Sequence, residues 1–214
     1  MKIVVSGTGY VGLVTAVCLS EVGHTVTCVD VVKEKIDMLN EGKSPIFEPG
    51  LEELMQKNKD KLTYTLNGKL AYKDADVIFI GVGTPEKKDG SANLKYVYEV
   101  AKEIAENIEN NAIIVIKSTV PIGTNKKIEK YIRDNLKHDV KIEIVSNPEF
   151  LSQGTAVRDT LHAQRIVLGV NTKHAEEIMK RVYDGFNLPY VITNRESAEM
   201  IKYASCLLYT SPSP

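Results

Sequence analysis

The fold class this 214-residue chain predicts is α/β: a doubly wound, mostly parallel sheet with helices on both faces. Three observations predict it. Gly7-Thr8-Gly9-Tyr10-Val11-Gly12 follows directly on the apolar run Ile3-Val4-Val5, and a second apolar run, Val26-Thr27-Cys28-Val29, ends on Asp30. Continuous apolar runs then recur down the chain between stretches of helical spacing, the pattern of a sheet covered on both sides. The loops of unusual composition, at 81–85, 118–124 and 147–154, all follow such runs. They therefore share one sheet edge with the glycine turn, and open α/β sheets bind ligands beyond the carboxyl ends of their strands.

The first unit carries the most specific signal. A strand, a G-x-G-x-x-G turn, a helix, a second strand and an acidic residue about 20 positions on form the fingerprint of a Rossmann-type βαβ dinucleotide site. Gly7 allows the tight turn, Gly9 lets the backbone approach a pyrophosphate, and Gly12 lets helix pack on strand. The pyrophosphate would rest on free N–H groups at the helix N-terminus. Asp30 can accept from both adenosine ribose hydroxyls and would repel a 2′-phosphate, so the expected cofactor is NAD rather than NADP.

The remaining elements follow in order. Residues 33–40 have Ile36 and Leu39 spaced for one helical face. Ser44 to Gly50 is a two-proline loop, Leu51 restarts a helix, and 62–65 is a short strand. Residues 77–80 form a strongly apolar strand that ends at Gly81-Val82-Gly83-Thr84-Pro85. A helix over 94–108 leads to a strand over 112–116, then a helix over 125–136 to a strand over 142–145 and the turn Asn147-Pro148-Glu149. A strand at 165–170, a helix near 174–183 and a strand at 190–192 complete the series.

Bulk properties exclude several classes. With 27 Lys and Arg against 28 Asp and Glu, nothing favours DNA, RNA or an anionic membrane as partner. No apolar stretch approaches the roughly 20 residues that span a bilayer. The chain opens straight into a strand, so no signal peptide is expected. Cys18, Cys28 and Cys206 have no metal-ligand spacing, so no metal site is expected and a reduced cytoplasmic setting is the default. Cys18 and Cys28 fall inside a helix and a strand and are expected to be small buried hydrophobes. His162 and His174 are read as surface or packing histidines.

Beyond the fingerprint, the ordered motifs are Gly42-Lys43-Ser44-Pro45-Ile46-Phe47-Glu48-Pro49-Gly50-Leu51, Gly83-Thr84-Pro85, Lys117-Ser118-Thr119-Val120-Pro121-Ile122-Gly123-Thr124, Asn147-Pro148-Glu149-Phe150-Leu151, Asp159, Arg165-Ile166-Val167 and Glu199-Met200-Ile201-Lys202-Tyr203. In this order they resemble the N-terminal half of the nucleotide-sugar 6-dehydrogenases, most closely the UDP-glucose 6-dehydrogenases, over about residues 1–205. That family uses NAD twice, taking the sugar C6 alcohol through an aldehyde captured on a cysteine thiol to a thioester that water hydrolyses. The resemblance implies a nucleotide-sugar partner, UDP-glucose first, and a homodimer for the complete protein. This chain alone could be monomeric, with an apolar patch around Met200, Ile201 and Leu207.

The resemblance also implies roles for individual residues. Cofactor contacts fall to Gly7, Gly9, Tyr10, Val11, Gly12, Asp30, Lys35, Thr84, Thr119 and Gln153. Catalysis falls to Glu149, which would hold or activate water near the sugar carbon, and to Lys202, which would stabilise an oxyanion or move a proton. Substrate contacts fall to Glu149, Phe150, Leu151 and Lys202. Read without the resemblance, Lys35 is a solvated helix-face lysine, Thr84 is turn chemistry, and Thr124 after Gly123 is a helix cap. Thr119 is a hydrogen-bonding ligand, since no base stands beside it.

The pattern departs from the family in two places. Ser152 and Gln153 stand where many members carry arginine and glutamate, and Cys206 stands where a helical asparagine is expected. The expected organisation is an NAD-binding domain over 1–195, the start of a central connecting helix over 196–205, and a foreign tail over 206–214 in which serine and proline break the helix. The nucleophilic cysteine would lie in an absent second half, so the fragment itself is expected to turn over little or nothing. A sister dehydrogenase acting on GDP-mannose or a UDP-N-acetylhexosamine, and a non-catalytic NAD-binding module, are the alternatives.

Overall fold

The computed structural model describes residues 1–210, with side chains described through Ser205. The eight strands among them are β1 (Lys2–Ser6), β2 (Thr25–Val29), β3 (Leu62–Thr65), β4 (Val77–Ile80), β5 (Ala112–Ile116), β6 (Ile142–Ser146), β7 (Ile166–Gly169) and β8 (Tyr190–Thr193). They form one sheet in the order β3-β2-β1-β4-β5-β6-β7-β8. The first six are mutually parallel. Strand order reverses between β1 and β4, which opens a crevice at their carboxyl ends. The glycine turn, the 81–85 loop, the 118–124 loop and the 147–154 loop all leave strands of this parallel set, so they gather on that edge as expected.

The helices are α1 (Tyr10–Glu21), α2 (Lys33–Asn40), α3 (Leu51–Lys57), α4 (Gly68–Lys73), α5 (Lys95–Asn107), α6 (Thr124–Asn135), α7 (Ala156–Leu161), α8 (Lys173–Tyr183) and α9 (Arg195–Thr210). Strand alternation divides the interior into two cores. In β4, buried along its whole length, Val77 and Phe79 face a cluster with α1, α2, α3, α7 and α8. Ile78 and Ile80 face a second cluster with α4, α5 and α6. Burying a side chain such as Phe79 stabilises by about 3 kcal/mol, which explains why a strand with no polar residue belongs at the middle of this sheet.

Sequence periodicity misses two short helices, α4 and α7. At six residues each they are too short to show a 3.6-residue period, and α4 starts because the Asn67 side chain accepts from Leu70 N–H at 3.2 Å. A second difference lies at the far side of the sheet. β7 pairs antiparallel with β6 through Ser146 and Gly169, and β8 then runs parallel to β7. The helix between β6 and β7 is α7, about 9 Å long at 1.5 Å per residue. β7 starts at the carboxyl edge and returns along its neighbour as an antiparallel partner.

α9 packs on the end of β7, where a Cβ on Gly169 would meet the Ala198 Cβ at 2.6 Å. The expectation that 196–205 begins a connecting helix coincides with α9, whose backbone continues helical to Thr210. The tail expected over 206–214 lies outside the described side chains, and 211–214 lie outside the described residues altogether.

The tightest contact in the fold is the glycine turn itself. Gly7 has φ of +98°, a conformation open to glycine at little cost. A Cβ on Gly12 would lie 1.9 Å from the Gly7 carbonyl oxygen, and one on Gly81 would lie 3.1 Å from the Gly12 Cα. Gly12→Ala should therefore destabilise the chain by about 3 kcal/mol, the upper end of ordinary overpacking. Urea denaturation measures it, and an unchanged midpoint would show that the turn opens freely.

Candidate functional site

The site is built on the carboxyl edge of the parallel strands. α1 begins at Tyr10 with Gly9 as its N-cap, without a capping side chain and with no acidic residue in its first turn. The first-turn N–H groups of a helix lack intrahelical partners. Here no side chain caps them, and a Cβ on Gly9 would meet no heavy atom within 4 Å. Uncapped donors beside open space suit the pyrophosphate of a dinucleotide.

Asp30 closes the other side of this crevice. Its Oδ2 accepts from Thr8 N–H and from the Thr8 hydroxyl, both at 2.7 Å, and its Oδ1 accepts from Val32 N–H at 3.0 Å. The Lys35 ammonium lies 3.9 Å from Oδ2. Burial opposes the charge on Asp30, but the Thr8 and Val32 donors and the Lys35 charge outweigh it and hold the carboxyl below the usual range. Oδ1 has one donor and keeps acceptor capacity, as a ribose hydroxyl requires. Asp30 and Lys35 thus stand together where the sequence placed the adenosine end. Val11, half-buried, lies in the first turn of α1.

Tyr10 joins the glycine turn to two other loops. Its hydroxyl donates to Glu48 of the two-proline loop and accepts from Gly154 N–H at 2.8 Å. Glu48, 6% exposed, also accepts from Gly154 N–H at 2.8 Å and Val157 N–H at 3.3 Å. Burial works against its charge, yet the Tyr10 hydroxyl and the N–H groups of Gly154, Val157 and Ala156 hold the carboxyl below the usual range. Gln153 lies exposed on this loop. Asp159 accepts from the Thr155 hydroxyl at 2.7 Å and Ser152 N–H at 3.2 Å, folding the loop onto α7.

Further along the same edge, the Thr84 hydroxyl donates to the Thr119 carbonyl at 2.8 Å, coupling the loops after β4 and β5. Ser118 donates its hydroxyl to the Val82 carbonyl at 2.6 Å. Thr119, Ser118, Ser146, Pro148, Glu199 and Lys202 line a small recess.

The proposed reacting groups meet. The Lys202 ammonium lies 3.0 Å from Glu149 Oε1, with the two side chains 14% and 12% exposed. Glu149 Oε2 accepts from Leu151 N–H at 2.8 Å, which fixes the carboxylate and turns the Phe150-Leu151 backbone around it. Lys202 lies 5.5 Å from the Phe150 ring centroid, and the Arg165 guanidinium lies 5.9 Å from the same ring. Residues 53 positions apart in the chain are therefore in contact.

Sequence reasoning assigned no role to three residues that hold this arrangement. Glu199, one helical turn before Lys202, is 3% exposed. Its carboxylate accepts from Gly123 N–H at 2.6 Å, from Asn125 N–H at 2.8 Å and from the Asn125 side chain at 2.5 Å. It thereby caps α6, a role expected of Thr124. The helix starts at Thr124 with Gly123 at the N-cap position, and the Thr124 hydroxyl donates back to the Pro121 carbonyl at 2.5 Å. Glu48 and Lys117 are the other two. The usable signal for Glu199 was its i, i+3 spacing from Lys202; for Lys117 it was a lysine directly continuing an all-apolar strand.

His162 and His174 are exposed, and His174 pairs with Glu143 at 2.5 Å away from the site. Cys18 and Cys28 are buried, and burial pushes both thiols up to about 12. A cleft of about 650 Å³ bordered by Met1, Asp76, Lys141, Glu143 and His174 opens at the amino edge of the sheet. None of the chemistry above collects there. Among the described residues no helix is long and apolar enough to cross a membrane, and no group of three or more His, Cys, Asp or Glu is placed to hold a metal ion.

Comparison with known proteins places this geometry. Residues 1–187 match the model of the UDP-glucose/GDP-mannose dehydrogenase family, NAD binding domain. A UDP-glucose 6-dehydrogenase of Bacillus subtilis is 49% identical over 207 residues, covering 96% of this chain and 47% of the relative. One from Rhizobium meliloti is 45% identical, covering 95% and 48%. Among solved structures, a GDP-mannose dehydrogenase from Pseudomonas aeruginosa superposes with a TM-score of 0.91 at 40% identity, covering 98% of this chain and 50% of that one. A UDP-glucose dehydrogenase from Pyrobaculum islandicum superposes with a TM-score of 0.93 at 34% identity, covering 96% and 49%. The chain spans about half the length of the relatives it matches.

Two outcomes test the geometry. Glu199→Ala should leave buried N–H groups at Gly123 and Asn125 without an acceptor, costing about 2–3 kcal/mol. Amide exchange should show α9 losing protection first, and equal loss over the whole chain would contradict its anchoring role. Glu48 lies below its ordinary value of about 4.5, so its contribution is present above that pH and disappears as pH falls through the folded-state value. Glu48→Gln should therefore flatten the loss of stability below about pH 4.5 in chemical denaturation, and an unchanged acid slope would remove Glu48 from that balance.

Proposed function

Because the chain belongs to the UDP-glucose/GDP-mannose dehydrogenase family and contains its NAD-binding domain, we propose that it is the N-terminal part of a UDP-glucose 6-dehydrogenase. The reaction is UDP-glucose plus two NAD and water to UDP-glucuronate plus two NADH. The observation that supports this reading best is the Glu149–Lys202 pair, at 3.0 Å beside the dinucleotide edge. A domain that only bound NAD would have no use for it.

NAD, when bound, supplies the hydride acceptor. The chain's own residues do the rest. The α1 N-terminus and the glycine turn hold the pyrophosphate, and Asp30 receives a ribose hydroxyl while repelling a 2′-phosphate. Thr84 and Thr119 border the nicotinamide side, and Phe150 and Leu151 border the sugar. Lys202 offers its ammonium to the oxygen that becomes anionic at the sugar C6. Glu149 orients water against that carbon and takes its proton.

The thiol that the second oxidation requires comes from elsewhere. Cys18 and Cys28 are buried with their thiols pushed up to about 12, and neither supplies a thiolate. We assign the nucleophile to the second half of the complete protein, as a homodimer in the cytoplasm joined through the continuation of α9. On this reading 1–195 is the NAD-binding domain, 196–205 the start of the connector, and 206–214 a foreign tail. The 40% identity with a GDP-mannose dehydrogenase makes GDP-mannose the second substrate to test.

This chain should bind NAD, and Asp30→Ala should weaken that binding at least about tenfold and narrow the preference over NADP. Titration calorimetry measures both, and unchanged affinity would remove Asp30 from the cofactor site. The complete protein should form NADH with UDP-glucose, and Glu149→Gln should lower kcat by about 10²-fold or more at unchanged NAD affinity. NADH formed with GDP-mannose alone would select the sister enzyme, and none with either sugar would favour a binding module.

A further inference from the structure

Lys117 stands directly after β5, beneath the Glu149–Lys202 pair, and is 7% exposed. The partner of its ammonium is a neutral amide oxygen, Asn147 Oδ1, at 3.2 Å. A lysine buried against an amide rather than a carboxylate is costly, and an apolar side chain of similar length would fill the space at lower cost. The surroundings of Asn147 suggest what the lysine does. Its Oδ1 also accepts from the Tyr183 hydroxyl at 2.5 Å, and its Nδ2 donates to the Val167 carbonyl at 2.9 Å. Three elements, β5, β7 and α8, thus converge on one amide. With both lone pairs of Oδ1 occupied the amide has one orientation, and buried Pro148 carries that constraint directly to Glu149.

We propose that Lys117 is a buried positioning residue for the Glu149–Lys202 pair, holding the Asn147-Pro148-Glu149 turn through Asn147 so that the carboxylate stays aimed at Lys202. This rests on the reading of Glu149 and Lys202 as the reacting groups. The charge supports the geometry. Burial first, and then the Lys202 cation, push the Lys117 ammonium down to about 8, while the Glu149 carboxylate and the Cys18 thiol work the other way.

Lys117→Met in the complete protein should lower kcat by about 10²-fold, the cost of misplacing a reacting group by about 1 Å. KM for NAD and for the nucleotide sugar should stay within about threefold. A crystal structure of the Lys117→Met variant of this chain should show the Glu149 carboxylate turned away from Lys202, beyond hydrogen-bond reach. A kcat within about threefold of wild type, or a fall in kcat with Glu149 still bonded to Lys202, overturns the proposal. If that variant does not fold, Tyr183→Phe decides: it removes one donor to the same Oδ1 and no charge, and should lower kcat about fivefold, with no change overturning the proposal. Glu149→Gln in the same assay separates the two readings. Full activity there sinks the catalytic assignment, while the structure of Lys117→Met still decides whether Lys117 sets the turn.

Discussion

The buried carboxylate of Glu199 is the interaction on which the arrangement of the site depends. α9 packs on β7 and β6, with Ala198 buried against Gly169. Glu199 adds three hydrogen bonds to the start of α6. An anion at a helix N-terminus also meets the positive end of its macrodipole, worth up to about 2 kcal/mol when partly buried. Arg195, one turn earlier on α9, adds a bond to Glu129 of α6 at 2.6 Å. Two anchors on one helix face leave α9 no freedom to rotate, and Lys202, on the turn after Glu199, is delivered to Glu149.

The same device recurs along the carboxyl edge. Loops there expose backbone N–H groups that no strand or helix pairs, and buried N–H groups without acceptors are costly. Asp30 satisfies Thr8 and Val32, Glu48 satisfies Gly154 and Val157, Glu149 satisfies Leu151, and Glu199 satisfies Gly123 and Asn125. Asp30, Glu48 and Glu199 each tie a loop to a different element, while Glu149 folds its own loop and reaches α9 through Lys202. The cations Lys35, Lys117 and Lys202 are interleaved with these anions, leaving the α1 N-terminus as the place for a diphosphate. Preorganisation of this kind lowers the ordering cost of binding.

Much of this was legible in the sequence because it is local. The glycine turn, the apolar strands and Asp30 are written in consecutive residues, and the two cores follow from strand alternation. Short α4 and α7 were not legible, since six residues carry no period, and the reversal at β7 rests on its pairing with β6, which the composition of neither strand marks. Glu149 and Lys202 were marked by the family resemblance, but their hydrogen bond was not. Glu48, Glu199 and Lys117 sat inside conspicuous motifs without a role, because a buried charge looks in sequence like any solvated one until its partners are known.

By itself the sequence determined the fold class and the glycine-turn edge of the sheet, because these rest on apolar runs and on a turn written in consecutive residues, with backbone geometry open to glycine at little cost. Only the tertiary structure decided which carboxylates cap which loops, where α9 sits on the sheet, and how Glu149 and Lys202 come to share a hydrogen bond. Glu149 and Lys202, Glu199 and Gly123, and Glu48 and Val157 are 53 to 109 residues apart. Their free energy comes from desolvated charges whose sign of contribution is set entirely by what the packed chain places beside them.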